Sequence, residues 1–243
     1  MQTQQASNGI KAILFDLDGT LRHNLPSSNQ AFFDFAARLG AVDTPNQRWQ
    51  TMRWVHYYWA QSPELVQDME TYAGLTETFW TYYSFRTLVK HGCSAVQAEE
   101  LAPRVHQCMV DEYQPQDHVP PDVCETLLAL TQAGYPLGVA SNRSNAYGEQ
   151  MTALGLAPFF RFALAAGEIN SWKPEPGIFL HAVALLEAQP CETIYVGDNY
   201  YADILGAINA GLLPVLLDPD GLFPDAGCPV ITRISELLNL LRN

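Results

Sequence analysis

The stretch Lys11-Ala12-Ile13-Leu14-Phe15-Asp16-Leu17-Asp18-Gly19-Thr20 decides the fold. Residues 11–15 form a short, largely apolar run that breaks abruptly into Asp16, Asp18 and Gly19, as a buried parallel strand does where it ends in a loop. Three later segments repeat the design: Pro136 to Ala140 ends at Ser141, Phe162 to Ala166 is followed by Lys173, and Thr193 to Gly197 ends at Asp198. Helical patterns separate them, at Val123 to Ala133, Asn145 to Leu154, Gly177 to Ala188 and Tyr201 to Ala210, three of them stopped by a glycine. Leu213 to Leu217 reads as a fifth strand, Asp218 to Val230 as an ordered loop, and Ile234 to Leu241 as a last helix. Strands alternating with helices and right-handed crossovers predict an α/β fold, a Rossmann-like open parallel sheet with helices on both faces.

Residues 24–116 read differently, helix after helix with no convincing strand, and hold Trp49, Trp54, Trp59 and Trp80, all the tryptophans except Trp172. The expected organisation is a core made of 1–23 and 117–243, with an all-helical domain of residues 24–116 inserted after the first strand. Trp49, Trp54, Tyr57, Tyr58 and Trp59 form one aromatic cluster, and Phe79, Trp80, Tyr82, Tyr83 and Phe85 a second. Each reads as the core of the insert or as a surface for an apolar or stackable ligand.

The chain of 243 residues carries 13 Lys and Arg against 26 Asp and Glu, a net charge of −13 that repels nucleic acid and anionic membranes. Neither is expected as a partner. An anionic ligand would need cations local to its site. Five cysteines without a CxxC pair read as reduced, buried thiols of a cytoplasmic protein. The polar, uncharged start, Met1 to Gly9, shows no secretory pattern, and no run approaches the roughly 20 apolar residues of a membrane span.

Ligands of an open parallel sheet bind beyond the carboxyl ends of its strands, where Asp16, Asp18, Ser141, Lys173 and Asp198 are placed. Two carboxylates as close as Asp16 and Asp18 cannot both ionise comfortably without a cation or a shared proton, unless the segment is only a strand-ending turn. A calcium loop fits poorly, because Gly19 falls at its fourth position and Ser27 at its twelfth. Ser141-Asn142-Arg143-Ser144, between a strand and a helix, can bind a phosphate oxygen or simply cap the helix. Lys173, one of three lysines in the chain, lies between Trp172 and Pro174 in a loop beside carboxylates that need a counter-charge. Oxygen ligands from Asp16, Asp18 and Asp198 suit magnesium. Asp203 either favours its helix N-terminus or supports the metal ligands from behind.

In order, Asp16-Leu17-Asp18-Gly19-Thr20, Ser141-Asn142, Lys173-Pro174, and Gly197-Asp198-Asn199 with Asp203 resemble the haloacid dehalogenase superfamily, and within it the phosphatases with a helical cap after the first strand. The resemblance spans Ile10 to Leu241. It implies a magnesium-dependent phosphatase acting on a small phosphorylated metabolite. Asp16 would be the nucleophile and Asp18 the acid and base. Magnesium would be held by the Asp16 carboxylate, the Asp18 carbonyl and Asp198. Ser141, the backbone near Asn142, and Lys173 would bind phosphoryl oxygens, with Asp203 behind the metal ligands. Haloacid-cleaving members lack the second aspartate, and Asp18 is present. A phosphomutase and a non-catalytic phospholigand sensor are the alternatives. A closing cap would set specificity, with Arg22, Arg53, Arg86 and Lys90 as candidate contacts to a second anionic group.

Overall fold

The computed structural model describes residues 9–242. Residues 1–8, most of the polar start, and residue 243 lie outside the described residues. By its contacts the chain separates into two units, Met1–His23 with Asp117–Asn243 and Asn24–Gln116. No helix among the described residues is long and apolar enough to cross a membrane.

The first unit opens with β1 (Ala12–Phe15), buried at every position. Ala12 and Leu14 belong to one apolar layer, Ile13 and Phe15 to the other, as the two-residue period of a strand covered on both faces requires. β2 (His23–Leu25) leads into the helical unit, and β3 (Gln116–His118) leads out of it. These two strands form a small sheet of their own. They correct the reading of residues 24–116 as free of strand. Three polar-rich residues each carry no apolar alternation that a sequence could show.

The second unit consists of α1 (Ser28–Arg38), α2 (Pro45–Trp59), α3 (Pro63–Thr71), α4 (Glu77–Lys90) and α5 (Ala95–Asp111). Each begins with a hydroxyl cap: Ser27, Thr44, Ser62, Thr76 and Ser94 accept a hydrogen bond from the backbone N–H three residues on. Each such cap contributes about 1 kcal/mol. The two aromatic clusters converge on one core, in which Trp54, Tyr58 and Phe79 are buried and Tyr57, Trp59, Trp80 and Tyr83 pack around them. Trp49 is exposed, and Phe85 joins a separate core with Phe32 and Phe33. Arg86, a candidate anion contact from the sequence, is turned inward. Its Nη2 donates to Asp68 Oδ1 at 2.9 Å, and Tyr58 donates to the other oxygen of the same buried carboxylate at 2.9 Å. Arg53 lies over the Trp49 ring and Lys90 over that of Trp54.

His91 in this unit is fully buried, with Nε2 3.2 Å from Asp43 Oδ1, Nδ1 3.2 Å from Thr51 Oγ1, and its ring stacked on Phe33. Burial lowers its pKa, the attraction of Asp43 opposes this, and Arg48 adds to the lowering. A histidine with a depressed folded-state pKa contributes stability that is complete above its unfolded value of about 6.5 and is lost as the pH falls through it. Thermal melts at fixed ionic strength should therefore show a larger drop between pH 7.5 and pH 5.5 for the wild type than for His91→Gln. Equal drops would mean that another group governs acid stability in this window.

After β3 the first unit continues with α6 (Pro121–Gln132), β4 (Leu137–Ser141), α7 (Gly148–Ala153), β5 (Ala163–Ala165), α8 (Ala166–Ile169), α9 (Pro176–Leu185) and β6 (Thr193–Gly197). It ends with α10 (Leu205–Asn209), β7 (Leu213–Leu217), β8 (Val230–Ile231) and α11 (Leu237–Leu240). The sheet is parallel, in the order β5-β4-β1-β6-β7-β8. Val123 and Leu127 of α6 cover one face, and Ile178 and Phe179 of α9 the other. β8 corrects the reading of a loop as far as Val230. Its two residues pair with Leu216 and Leu217, too short a segment to register as a periodic run. All five cysteines are free. Cys93 is buried, but Cys191 is exposed, because it lies in the short turn Pro190–Glu192 ahead of β6 rather than in a strand.

Candidate active site

β1 lies between β4 and β6, so the first residues beyond these three strands meet at one edge of the sheet. Asp16 follows β1 and ties to the neighbouring strand through its N–H, which donates to the Val196 carbonyl at 2.8 Å. Ser141 closes β4, and Asp198 follows β6. Lys173 is carried eight residues past β5, in the loop between α8 and α9. That loop is held by Asn142, whose amide donates to the Lys173 carbonyl at 2.8 Å and accepts from the Lys173 N–H at 2.6 Å. The Asn142 side chain is thereby committed to the loop.

The Lys173 ammonium is buried and donates to Asp16 Oδ1 at 2.5 Å, Asp203 Oδ1 at 2.7 Å and the Tyr195 hydroxyl at 3.0 Å. Asp203 lies in the wide π-helical turn Tyr200–Ile204, and its Oδ2 accepts from the Asn199 N–H at 2.9 Å. Both of its oxygens are engaged. Asp198 accepts from Thr20 Oγ1 at 3.1 Å. Oxygens of Asp16, Asp198 and Asp203 lie within 4.8 Å of one another. Two glycines permit the crowding. At Gly19, where φ is +93°, an added Cβ would lie 2.4 Å from Asp198 Oδ2, and at Gly197 it would lie 2.4 Å from Asp203 Cγ. The Ser141 hydroxyl makes no hydrogen bond to any described residue.

The Asp16 carboxyl is raised to about 7, chiefly by burial and also by Asp203 and Asp18, against the downward pull of Lys173. Asp198 is raised well above the usual carboxylate range by burial and then by Asp16 and Asp203. Burial alone would lower Lys173, but Asp16 and Asp203 together raise it well above the usual ammonium value and keep it charged. Three clustered carboxylates thus face one ammonium, and the excess negative charge on hard oxygen donors fits a divalent cation such as magnesium.

Asp18 stands apart from that cluster. Arg143 grips both its oxygens, Nε to Oδ2 at 2.7 Å and Nη2 to Oδ1 at 2.8 Å, and Arg22 Nη1 donates to Oδ1 at 2.7 Å. Arg22 also pairs with Asp117, and Arg143 with Gln150. The sequence reading gave Arg143 no role and grouped Arg22 with the insert, although it belongs to the sheet unit. The available signal was an arginine immediately after a strand-end motif, among carboxylates short of counter-charge. Tyr195 was missed because it reads as one more apolar position of a buried strand, yet a fully buried tyrosine requires a partner for its hydroxyl.

Residues 10–211 match a family model described as haloacid dehalogenase-like hydrolase. The chain is 30% identical to a ribulose-1,5-bisphosphate 5-phosphatase of Halopiger xanaduensis over 86% of this chain and 84% of that one. It is 28% identical to the pyrophosphatase PpaX of Bacillus mycoides over 96% and 97% of the two chains. Among solved structures it resembles a 2-haloacid dehalogenase from Pseudomonas syringae, with a TM-score of 0.54, 26% identity, and 96% and 98% of the two chains covered. A family model matched across most of the chain, on a parallel sheet with these acidic strand ends, places the protein in a family: it belongs to the haloacid dehalogenase-like hydrolases.

Proposed function

We propose that the protein is a magnesium-dependent phosphatase that hydrolyses a small phosphorylated metabolite through an aspartyl phosphate on Asp16. The observation that carries this reading is the buried Asp16 carboxylate, fixed through Oδ1 by Lys173, with oxygens of Asp198 and Asp203 close by. The named activities of the two relatives, a sugar bisphosphate phosphatase and a pyrophosphatase, support a small phosphate substrate. In this reading Asp16 Oδ2 attacks phosphorus, the bond to the leaving oxygen breaks, and Asp18 supplies that oxygen with a proton. Asp18 then takes a proton from water, which attacks the phosphoryl group and frees Asp16. Arg143 and Arg22 hold the Asp18 carboxylate in place, and its acid role requires one of its oxygens to leave these donors and carry a proton when substrate binds.

Ser141 Oγ, the backbone N–H near Asn142, and Lys173 hold phosphoryl oxygens. Asp16, the Asp18 carbonyl and Asp198 would hold magnesium, which supplies charge stabilisation to the transferring group. Asp203 keeps Lys173 and the Asn199 backbone in place behind them. Residues 1–23 and 117–243 serve as catalytic core, and residues 24–116 as the cap. Five free thiols suit the cytoplasm.

The test is hydrolysis of an aryl phosphate and a panel of phosphorylated metabolites with magnesium and with EDTA. Turnover should appear with magnesium and vanish with EDTA. Magnesium at about 100 times its dissociation constant should also stabilise the fold by about 2.7 kcal/mol. Because Asp16 and Asp198 have raised folded-state pKa values, the metal-free protein loses stability as pH rises from about 4 towards 7. The magnesium-induced rise in Tm should therefore be larger at pH 7.5 than at pH 5. Magnesium binding without turnover on any panel member would favour a sensor, and intramolecular phosphoryl transfer a phosphomutase.

A further inference from the structure

The helical unit contains a cavity of about 530 Å³, within the range of roughly 300–1,000 Å³ usual for small-molecule sites. Its origin is visible on α4, where Trp80, Tyr83, Ser84 and Thr87 recur at helical spacing along one face. Here two bulky rings are followed by two small residues. The Ser84 and Thr87 hydroxyls donate to carbonyls of their own helix, at 2.9 Å to Trp80 and 2.8 Å to Tyr83, so the floor of the hollow offers mainly carbon to an occupant.

The walls are rings held in fixed relation to one another. Trp59 lies 5.7 Å from Trp80 and 5.3 Å from Tyr83, centroid to centroid, and Trp80 lies 5.9 Å from Tyr83 in an edge-on arrangement. Trp59 Nε1 donates to the Tyr83 hydroxyl at 3.1 Å, which orients both and occupies the indole N–H. Phe32, Val55 and Met109 complete an apolar lining to which no lysine, arginine, aspartate or glutamate contributes. Besides the indole and phenol groups of the walls and the hydroxyls of Ser84 and Thr87, polar groups enter at Ser28, Asn29, His106 and Tyr113. The side chains of Ser28, Asn29 and His106 make no hydrogen bond to any described residue, which leaves them available to an occupant.

We propose that this cavity binds an uncharged, flat ring system with a hydrogen-bonding edge. The rings supply stacking and edge contacts, and His106 with Asn29 meets the polar edge. No lysine or arginine lines the cavity, so an anionic group would find no counter-charge in the interior. The inference stands apart from the phosphatase reading, because its test reads binding rather than turnover. The ring can be part of a phosphorylated substrate or a separate ligand.

The probe is 2-naphthol, titrated into the full-length protein by calorimetry. Saturable binding is expected at one site. Val110→Trp places a large side chain at an exposed residue of the lining, 62% accessible, where it need not disturb folding, and should weaken binding at least tenfold. His106→Ala should weaken it about fivefold, the value of one hydrogen bond. A companion assay compares 2-naphthyl phosphate with ethyl phosphate. If Val110→Trp raises KM for the naphthyl ester alone, the ring belongs to the substrate; if it weakens naphthol binding and leaves both KM values unchanged, the site serves a separate ligand. Either result upholds the proposal. Failure of 2-naphthol to saturate the wild type, or equal affinity in the wild type and both variants, overturns it.

Discussion

Replacing Asp16 with asparagine is expected to lower kcat by about 10⁴-fold or more, the scale on which loss of a covalent nucleophile is felt. An amide oxygen cannot form the acyl phosphate, yet asparagine has nearly the same shape, so the loss should come from chemistry and not from misfolding. The electrostatics make a second, less intuitive forecast. Asp16 is pushed up to about 7 by burial and its acidic neighbours, so its charge is a burden on the metal-free fold. Asp16→Asn measured in EDTA at pH 7.5 should melt no lower than the wild type, and the rise in Tm on adding magnesium should shrink. A variant that melts lower in EDTA would mean that the Lys173 ion pair outweighs the repulsion among the carboxylates. Steady-state kinetics and thermal melts on the same preparations supply both readings.

Lys173→Met is expected to damage both activity and stability. The Lys173 side chain is 3% exposed and bridges Asp16 and Asp203, whose side chains are 7% and 1% exposed. Removing the ammonium leaves buried carboxylates without their cation, a change that costs about 3–5 kcal/mol in comparable sites. In the proposed reaction it also removes a donor to the transferring phosphoryl group, a loss expected to cost about 10²–10³-fold in kcat. Urea denaturation in EDTA should show the stability loss in full, and magnesium should restore part of it by neutralising the same carboxylates. Activity should stay low even when stability is restored. A variant of wild-type stability in EDTA would show that Asp203 and Asp16 are held by their other partners.

The contrast between the two variants explains which parts of the site were legible in the sequence. Asp16, Asp198 and Ser141 stand directly at strand ends, so an apolar run that stops at a polar residue already locates them. Lys173 was harder, because it lies eight residues beyond β5 and reaches the site through α8 and the Asn142 bracket, neither of which has a periodic signal. The division at residues 23/24 and 116/117 followed from the change between strand-containing and wholly helical patterns, and the contact boundary falls at the same residues. The strands at that boundary escaped notice because three-residue polar segments carry no alternation. Arg143 and Tyr195 were misjudged for opposite reasons. The arginine was visible but had no geometry to give it a partner, and the tyrosine was hidden among apolar neighbours whose environment it shares. The grip of Arg143 on Asp18 and the support of Lys173 by Tyr195 are tertiary facts, made by residues more than 20 positions apart.

The covalent step on Asp16 is the central claim, and it can be read directly. Wild-type protein turning over an aryl phosphate with magnesium is quenched in acid, digested, and analysed by peptide mass. The account predicts a phosphoryl group on the peptide that contains Asp16, lost on treatment with hydroxylamine and absent from Asp16→Asn. Magnesium-dependent turnover with no phosphorylated peptide under single-turnover quenching, or with the group on a different residue, would contradict it.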